Sequence, residues 1–439
     1  MSTTFSNYVL DFLWQITNCF NCFPSNPALK INGRQYKILR LLGEGGFSYV
    51  YLVQSPPSPQ LHALKKIRCP FGQESVSQAL KEVEAYSLFA PHPNIIQSID
   101  HAVASDSRSD PSSKTVYILL PYYRRGNLQD AINANLVNGG RFPERRLMVL
   151  FRGVCEGLKA MHQYRVPEGS GKGKKAKSKA RRVRDEGARA DREAANAADG
   201  VDDDEAGVPL MDDEVTRAQE GVGEGEIRAY AHRDIKPANI MISDDGLTPI
   251  LMDLGSLAPS PTPITSRALA LQVQDQAAEH STMPYRAPEL FDVKTGSVVD
   301  TAVDVWSAGC TLFACLVGKS PFEMRSEETG GSLSLCVLGG DWRFPDEEPV
   351  IGGPASASSP PRRKKTKGKQ RMNVAPSEVA AGGGADGEYA GADEISEAVR
   401  DVVRACLRVE ASERPDVDRL IDMVDHVIAG LPDDGPLSD

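Results

Sequence analysis

The sequence has no run approaching the ~18 consecutive apolar residues that argue a membrane span. Its longest apolar stretch, Cys310 to Val317, is short and reads as a buried core helix. The opening residues MSTTFSNYVL carry no basic n-region, so a secretory leader is not expected. Eight cysteines are scattered without a short-spaced framework, which points to a reducing compartment and away from a disulfide scaffold. Positive charge is in deficit, with 50 Lys and Arg against 60 Asp and Glu and a net charge of -10. Phosphate backbones demand a basic face, so this balance argues against a general nucleic-acid binder. What remains is ordinary for a soluble globular chain: 439 residues, 41% hydrophobic and 25% charged, enough for one large domain or two or three smaller ones.

Two segments depart from the rest. Residues 166–226 run through GKGKKAKSKARRVR, with eight basic residues and no acid, into the acidic DGVDDDEAG and MDDEVTRAQEGVGEGE. Residues 344–391 mix PASASSPP, the basic RRKKTKGKQR and AAGGGADGEYAGAD. Neither composition buries enough apolar surface to offset the entropy of ordering, and both are predicted to be disordered insertions. A basic run in either could be a localisation signal or simply a solvated loop.

Without the insertions the chain is regular. YKILRLL and YVYLVQS flank a Gly-rich turn and HALKKI follows, predicting three antiparallel strands. QALKEVEAYSLF predicts a helix and VYILLPYY a further strand. From Leu147, the apolar residues Leu150, Phe151, Val154, Leu158 and Met161 trace one helix face, and VWSAGCTLFACLVG and EISEAVRDVVRACLRV predict helices beyond it. A strand-rich front and a helix-rich back give an α+β chain of two lobes around a cleft.

In chain order come GEGGFSYV, ALKK, a helical Glu, HRDIKPAN, DLG, APE and DVWSAG. On these motifs the chain resembles the protein kinase superfamily, with a β-rich N-lobe and a mainly helical C-lobe, over a domain of about 36–428 that holds both insertions. The resemblance implies ATP and Mg²⁺ as cofactors and serine or threonine hydroxyls of proteins as acceptors. Gly43, Gly45 and Gly46 leave the backbone bare, so amides can approach phosphate oxygens, with Ser48 where the family has a third glycine. Glu44, Phe47, Val50, Ala63 and Leu120 belong to the same implied nucleotide site. Lys65 reaches phosphates as a point charge and needs a counter-charge, for which Glu82 is the best candidate and Glu84 the rival. At the hinge, Pro121 offers the backbone carbonyl that adenine needs, and the Tyr123 amide donates to the base.

The polar HRDIKPAN stretch then makes chemical sense. Phosphoryl transfer needs a carboxylate to orient the attacking hydroxyl and a divalent metal to screen the phosphates. By resemblance Asp234 is that carboxylate, Lys236 steadies the transferring group, and Asn239 and Asp253 offer oxygen to Mg²⁺. Thr282 lines the acceptor site, Glu289 and Arg414 form a structural ion pair, and Asp304 ties the catalytic-loop backbone. Leu254 replaces the usual Phe of its motif with a smaller apolar plug. His92 and His280 read as ordinary polar residues.

A narrower resemblance, carried by LGEGGFSYVYLV, LMDLGS and ALALQVQDQAAEHSTMPYRAPELF, is to the numb-associated kinases and their myristoylated and palmitoylated subgroup. It implies an extra helix after APE, for which residues 293–303 have room. Myristoylation does not transfer, because Ser2 stands where a glycine is required. In the predicted membrane-targeting segment 1–30, Phe5, Tyr8, Val9, Phe12, Leu13 and Ile16 form one helical stripe, followed by Cys19 and Cys22. The preferred reading is an interfacial helix S-palmitoylated at one or both cysteines, on the cytosolic face of an internal membrane of Golgi or vacuole type. The plainer reading is a docked helix with two idle thiols. Zinc would need further ligands. Two other classes stay open beside an active kinase. A pseudokinase scaffold for partner proteins would be favoured by loss of Lys65, Asp234, Asn239 or Asp253, all of which are present. A nucleic-acid module ranks last, because the basic tracts lack interleaved aromatics.

Overall fold

The computed structural model describes residues 28–45, 48–70, 72–105, 114–166, 225–347 and 395–433. Its N-lobe is a six-stranded antiparallel sheet with strand order β1-β2-β3-β4-β6-β5. The strands are β1 (Ala28–Ile31), β2 (Arg34–Glu44), β3 (Ser48–Gln54), β4 (Leu61–Cys69), β5 (Asp100–Ser105) and β6 (Lys114–Pro121), with helix α1 (Gly72–Leu88) between β4 and β5. β1 joins β2 through Asn32-Gly33, both at positive φ (45° and 83°), the two-residue turn whose twist suits a hairpin. The Asn32 amide donates to Asp100 Oδ1 at 2.8 Å and to the His101 carbonyl at 2.9 Å, which draws the hairpin back to β5. A small apolar cluster of Ile31, Tyr36, Val53, Leu64 and Leu119 closes beneath it. On the other side α1 buries Val76, Ala79, Val83 and Tyr86 against the sheet.

The C-lobe helices are α2 (Leu128–Asn138), α3 (Glu144–His162), α4 (Arg267–His280), α5 (Ala302–Val317), α6 (Pro321–Thr329), α7 (Leu333–Gly339), α8 (Glu397–Cys406) and α9 (Val417–Gly430). In α3 the periodic residues Leu147, Leu150, Phe151, Val154, Leu158 and Met161 are all buried, as the spacing predicts. The α5 helix is buried on every side, and its Trp306 stacks on Phe322 with ring centroids 5.2 Å apart. The Arg414 guanidinium lies over the Trp306 ring, 5.0 Å from its centroid. It forks onto Glu289 at 2.6 and 2.9 Å and also donates to the carbonyls of Ala302, Arg408 and Val409. A buried guanidinium with every donor used holds the segment after APE to the base of the lobe.

Three expectations are corrected. The extra helix is not within 293–303, where Gly296 (φ 87°) turns the chain and Val298–Val299 pairs with Thr262–Pro263. A helix stands instead ahead of APE, α4, where Ser266 caps it by accepting from the Leu269 amide at 3.2 Å and Leu269, Ala270, Val273 and Ala277 face the core. The first insertion is narrower than 166–226. Val166 exchanges backbone hydrogen bonds with Gly225 and Glu226 at 2.9 and 3.1 Å, and Arg165 bridges Ile227. The second begins later than 344, because Phe344 is fully buried against Phe313 and Trp342, while Asp346 and Glu347 pair with Arg400 and Arg404. Both misplacements have one cause: polar neighbours in sequence hid residues whose partners are far away in the chain.

Candidate active site

The cleft between the lobes is built first from β2 and β3. The Gly45 amide donates to the Ser48 carbonyl at 2.8 Å, closing the turn between the strands, and a Cβ at Gly45 would sit 3.1 Å from Ser48 Oγ. Gly43 and Glu44 pair with Val50 and Tyr49 in the hairpin, whereas Gly46 and Phe47 lie outside the described residues. Behind it, Val50 pairs with Lys65, and Ala63 of β4 sits between Leu52 and Leu120. Pro121 ends β6, and Tyr123 follows half-buried at the lobe junction, where burial and then the Asp244 charge push its phenol pKa up.

Lys65 Nζ lies 2.7 Å from Glu82 Oε1 and 3.0 Å from Asp253 Oδ1. Glu84 is exposed, so the choice between the two glutamates falls to Glu82. Burial works against the Lys65 charge, but the carboxylates of Glu82 and Asp253 outweigh it and raise the ammonium pKa. In return the Lys65 charge, opposed by burial, holds Asp253 below the ordinary carboxylate range. Asp253 itself sits at φ 61° and ψ 67°, the left-handed conformation that aims its carboxylate back into the cleft.

The catalytic loop hangs from Asp304. This carboxylate is wholly buried and accepts from the backbone amides of His232 and Arg233 at 2.7 and 2.8 Å, with His162 Nε2 2.9 Å away. The His232 ring reaches the Met252 carbonyl at 3.1 Å, and Ser256 Oγ donates to the His232 carbonyl at 2.6 Å, so the loop and the DLG turn are joined. Arg233, at φ 67°, is buried and donates to Thr262 Oγ1 at 3.4 Å. With its backbone held, Asp234 faces the cleft. Its Oδ1 accepts from the Thr282 amide and hydroxyl at 2.9 and 2.8 Å, and its Oδ2 from Lys236 Nζ and Asn239 Nδ2 at 2.8 and 2.9 Å. Lys236 also donates to Thr282 Oγ1 at 2.6 Å.

The Nδ2 atom of Asn239 is committed to Asp234, which leaves its amide oxygen, with the Asp253 carboxylate, as the donor set for a cation. One carboxylate and one amide oxygen suit Mg²⁺, which completes its shell with water and phosphate oxygens. An open cleft of about 430 Å³, lined in part by Lys236, Thr282, Tyr285, Lys319 and Glu323, adjoins the Asp234–Thr282 pair. His92 and His280 serve elsewhere: His92 Nδ1 accepts from the Asn94 amide at 3.2 Å, and His280 ends α4 near Glu279. Sequence reading missed His162 and Ser256. His162 carries no motif and Ser256 only closes LMDLGS, and each matters because a segment from elsewhere in the chain packs on it.

A strand-rich lobe presenting a glycine turn and a paired lysine, over a helical lobe presenting a loop carboxylate and two oxygen ligands, defines a phosphotransferase of the protein kinase class. The chain belongs to the protein kinase domain family, which it matches over residues 36–167 and 227–424. It is 36% identical over 347 residues to Serine/threonine-protein kinase ENV7 of Saccharomyces cerevisiae, covering 76% of this chain and 87% of that protein. It is 32% identical over 334 residues to Serine/threonine-protein kinase ppk13 of Schizosaccharomyces pombe, covering 76% and 85%. With human Serine/threonine-protein kinase 16 it shares 30% identity over 316 residues, 72% of this chain and 80% of that one.

Proposed function

We propose that this kinase transfers the γ-phosphoryl group of ATP to serine and threonine hydroxyls of proteins, working at a membrane surface to which acylated cysteines hold it. The observation that carries the transfer is the convergence of Asp234, Lys236 and Thr282 a short way from Lys65, Glu82 and Asp253. Lys65 and the backbone between Gly43 and Ser48 would bind the phosphates, and Ala63, Leu120, Pro121 and Tyr123 the base. Asp253 and Asn239 would hold Mg²⁺, which neutralises phosphate charge when bound. Asp234 Oδ1, now occupied by the Thr282 hydroxyl, is the atom that would orient an acceptor hydroxyl and receive its proton. Lys236 would hold the moving group from the opposite side. Purified protein with Mg²⁺ and labelled ATP should phosphorylate Ser and Thr peptides and spare matched Tyr peptides. Transfer to none of them would leave the scaffold reading.

The narrower kinship proposed is with the numb-associated kinases and their palmitoylated subgroup, on the motifs quoted above. Cys19 and Cys22 lie outside the described residues, and no single described helix is long and apolar enough to cross a membrane. The attachment we propose is through acyl chains on these cysteines. One chain binds only marginally, so two, or one with the stripe from Phe5 to Ile16, are required. No Lys or Arg precedes Lys30, which gives acidic lipids little to attract. Wild-type protein should pellet with internal membranes in high salt, and C19S/C22S should move to the soluble fraction. An unchanged distribution, or no thioester-linked acyl group on the wild type, would refute the anchor.

A further inference from the structure

Tyr86 lies one helical turn beyond Glu82 on the same face of α1 and is 1% exposed. Its hydroxyl donates to Glu82 Oε1, the oxygen that also accepts from Lys65 Nζ at 2.7 Å. One side chain on the helix thus touches the ion pair. The turn at 254–256 packs directly on α1, and Leu254 is itself 2% exposed.

A buried phenol is an expensive way to fill space. Its hydroxyl must be paired or it costs free energy, whereas leucine or phenylalanine would fill the site without that demand. The hydroxyl is therefore informative. Lys65 sits between two carboxylates, Glu82 at 2.7 Å and Asp253 at 3.0 Å, and the site needs Asp253 left available for a cation. The terminal torsion of a glutamate is broad and weakly held. A second donor on Oε1, itself fixed by burial, stops that carboxylate from swinging.

We propose that Tyr86 is a positioning residue of the transfer reaction, holding Glu82 toward Lys65 through its hydroxyl. This rests on the kinase reading, and it adds a residue that acts through Glu82 without touching substrate.

The test is a cycle of Y86F, E82Q and the double variant in the full chain, read as kcat, KM for ATP and ATP affinity. Y86F keeps the ring and loses the hydroxyl. It should lower kcat/KM for ATP by about tenfold, a loss of about 1.4 kcal/mol. Because Tyr86 acts through Glu82, adding Y86F to E82Q should cost little more. A hydroxyl that merely supported the fold would cost the same on both backgrounds. Equal losses, or Y86F at the wild-type level, overturn the proposal. A wild type that transfers nothing sinks the kinase reading instead, and the same cycle read on ATP affinity then still decides the role of Tyr86.

Discussion

Asp234→Asn is expected to cut phosphoryl transfer by about a thousandfold, within the range that a positioned general base contributes. ATP affinity should stay near the wild-type value. The two effects separate because the carboxylate of Asp234 reaches only Thr282 on Oδ1 and Lys236 and Asn239 on Oδ2, and neither Lys65 nor the hairpin of the nucleotide site. Lys65, Glu82 and the β2–β3 turn would hold the nucleotide. Asparagine keeps one acceptor oxygen and turns an NH₂ group toward donors, so an acceptor hydroxyl loses both its orientation and its proton sink. Single-turnover transfer and nucleotide titration on the same preparation measure the two quantities. Wild-type transfer in the variant would remove Asp234 from the reaction.

Asp304→Asn should damage both stability and activity. The wild-type carboxylate is fully buried and satisfies three donors, the amides of His232 and Arg233 and the ring of His162. Burial alone would raise its pKa, and His162, His232 and the Arg233 amide outweigh this, so the folded-state value is lowered. Its contribution to stability is therefore complete above the ordinary carboxylate pKa of about 3.9, and is lost as pH falls through the folded-state value. An amide in its place sets an NH₂ against a donor in a fully buried site, and breaking a buried charged contact of this kind costs about 3 kcal/mol. Denaturant unfolding at neutral pH should show that loss. The gap from wild type should narrow only in strong acid. Transfer should fall as well, because His232 and Arg233 set the backbone from which Asp234 projects. A variant that unfolds like wild type would show that the loop is held by its neighbours and not by Asp304.

Much of this was legible in the sequence, and the legible parts share a property. Asp234, Lys236 and Asn239 act from one short loop, so their spacing alone states the chemistry. The stripe from Leu147 to Met161 gives α3, because helix period is a local rule that burial reinforces. Lys65 was placed by strand pattern and motif order. Its partner was not settled, since Glu82 and Glu84 differ only in which side of α1 they occupy, and the packing of that helix on the sheet decides it. Contacts between distant residues came only from the resemblance, as for Glu289 with Arg414 and Asp304 with the catalytic loop, and spacing alone gave none of them. Asp253 meets Lys65 across 188 positions, and Asp304 meets His162 across 142. The helix of Arg267–His280 escaped because its apolar face is narrow and its polar residues outnumber it, until Ser266 caps it and the lobe receives Leu269 and Val273. Phe344 looked like the start of an insertion until Phe313 and Trp342 closed over it. The order and identity of the chemical groups were therefore determined by the sequence, since they depend on residue type and short spacing. Which groups share a proton, a charge or a cavity was decided by tertiary structure, because those energies fall off within a few ångströms and only folding brings the partners that close.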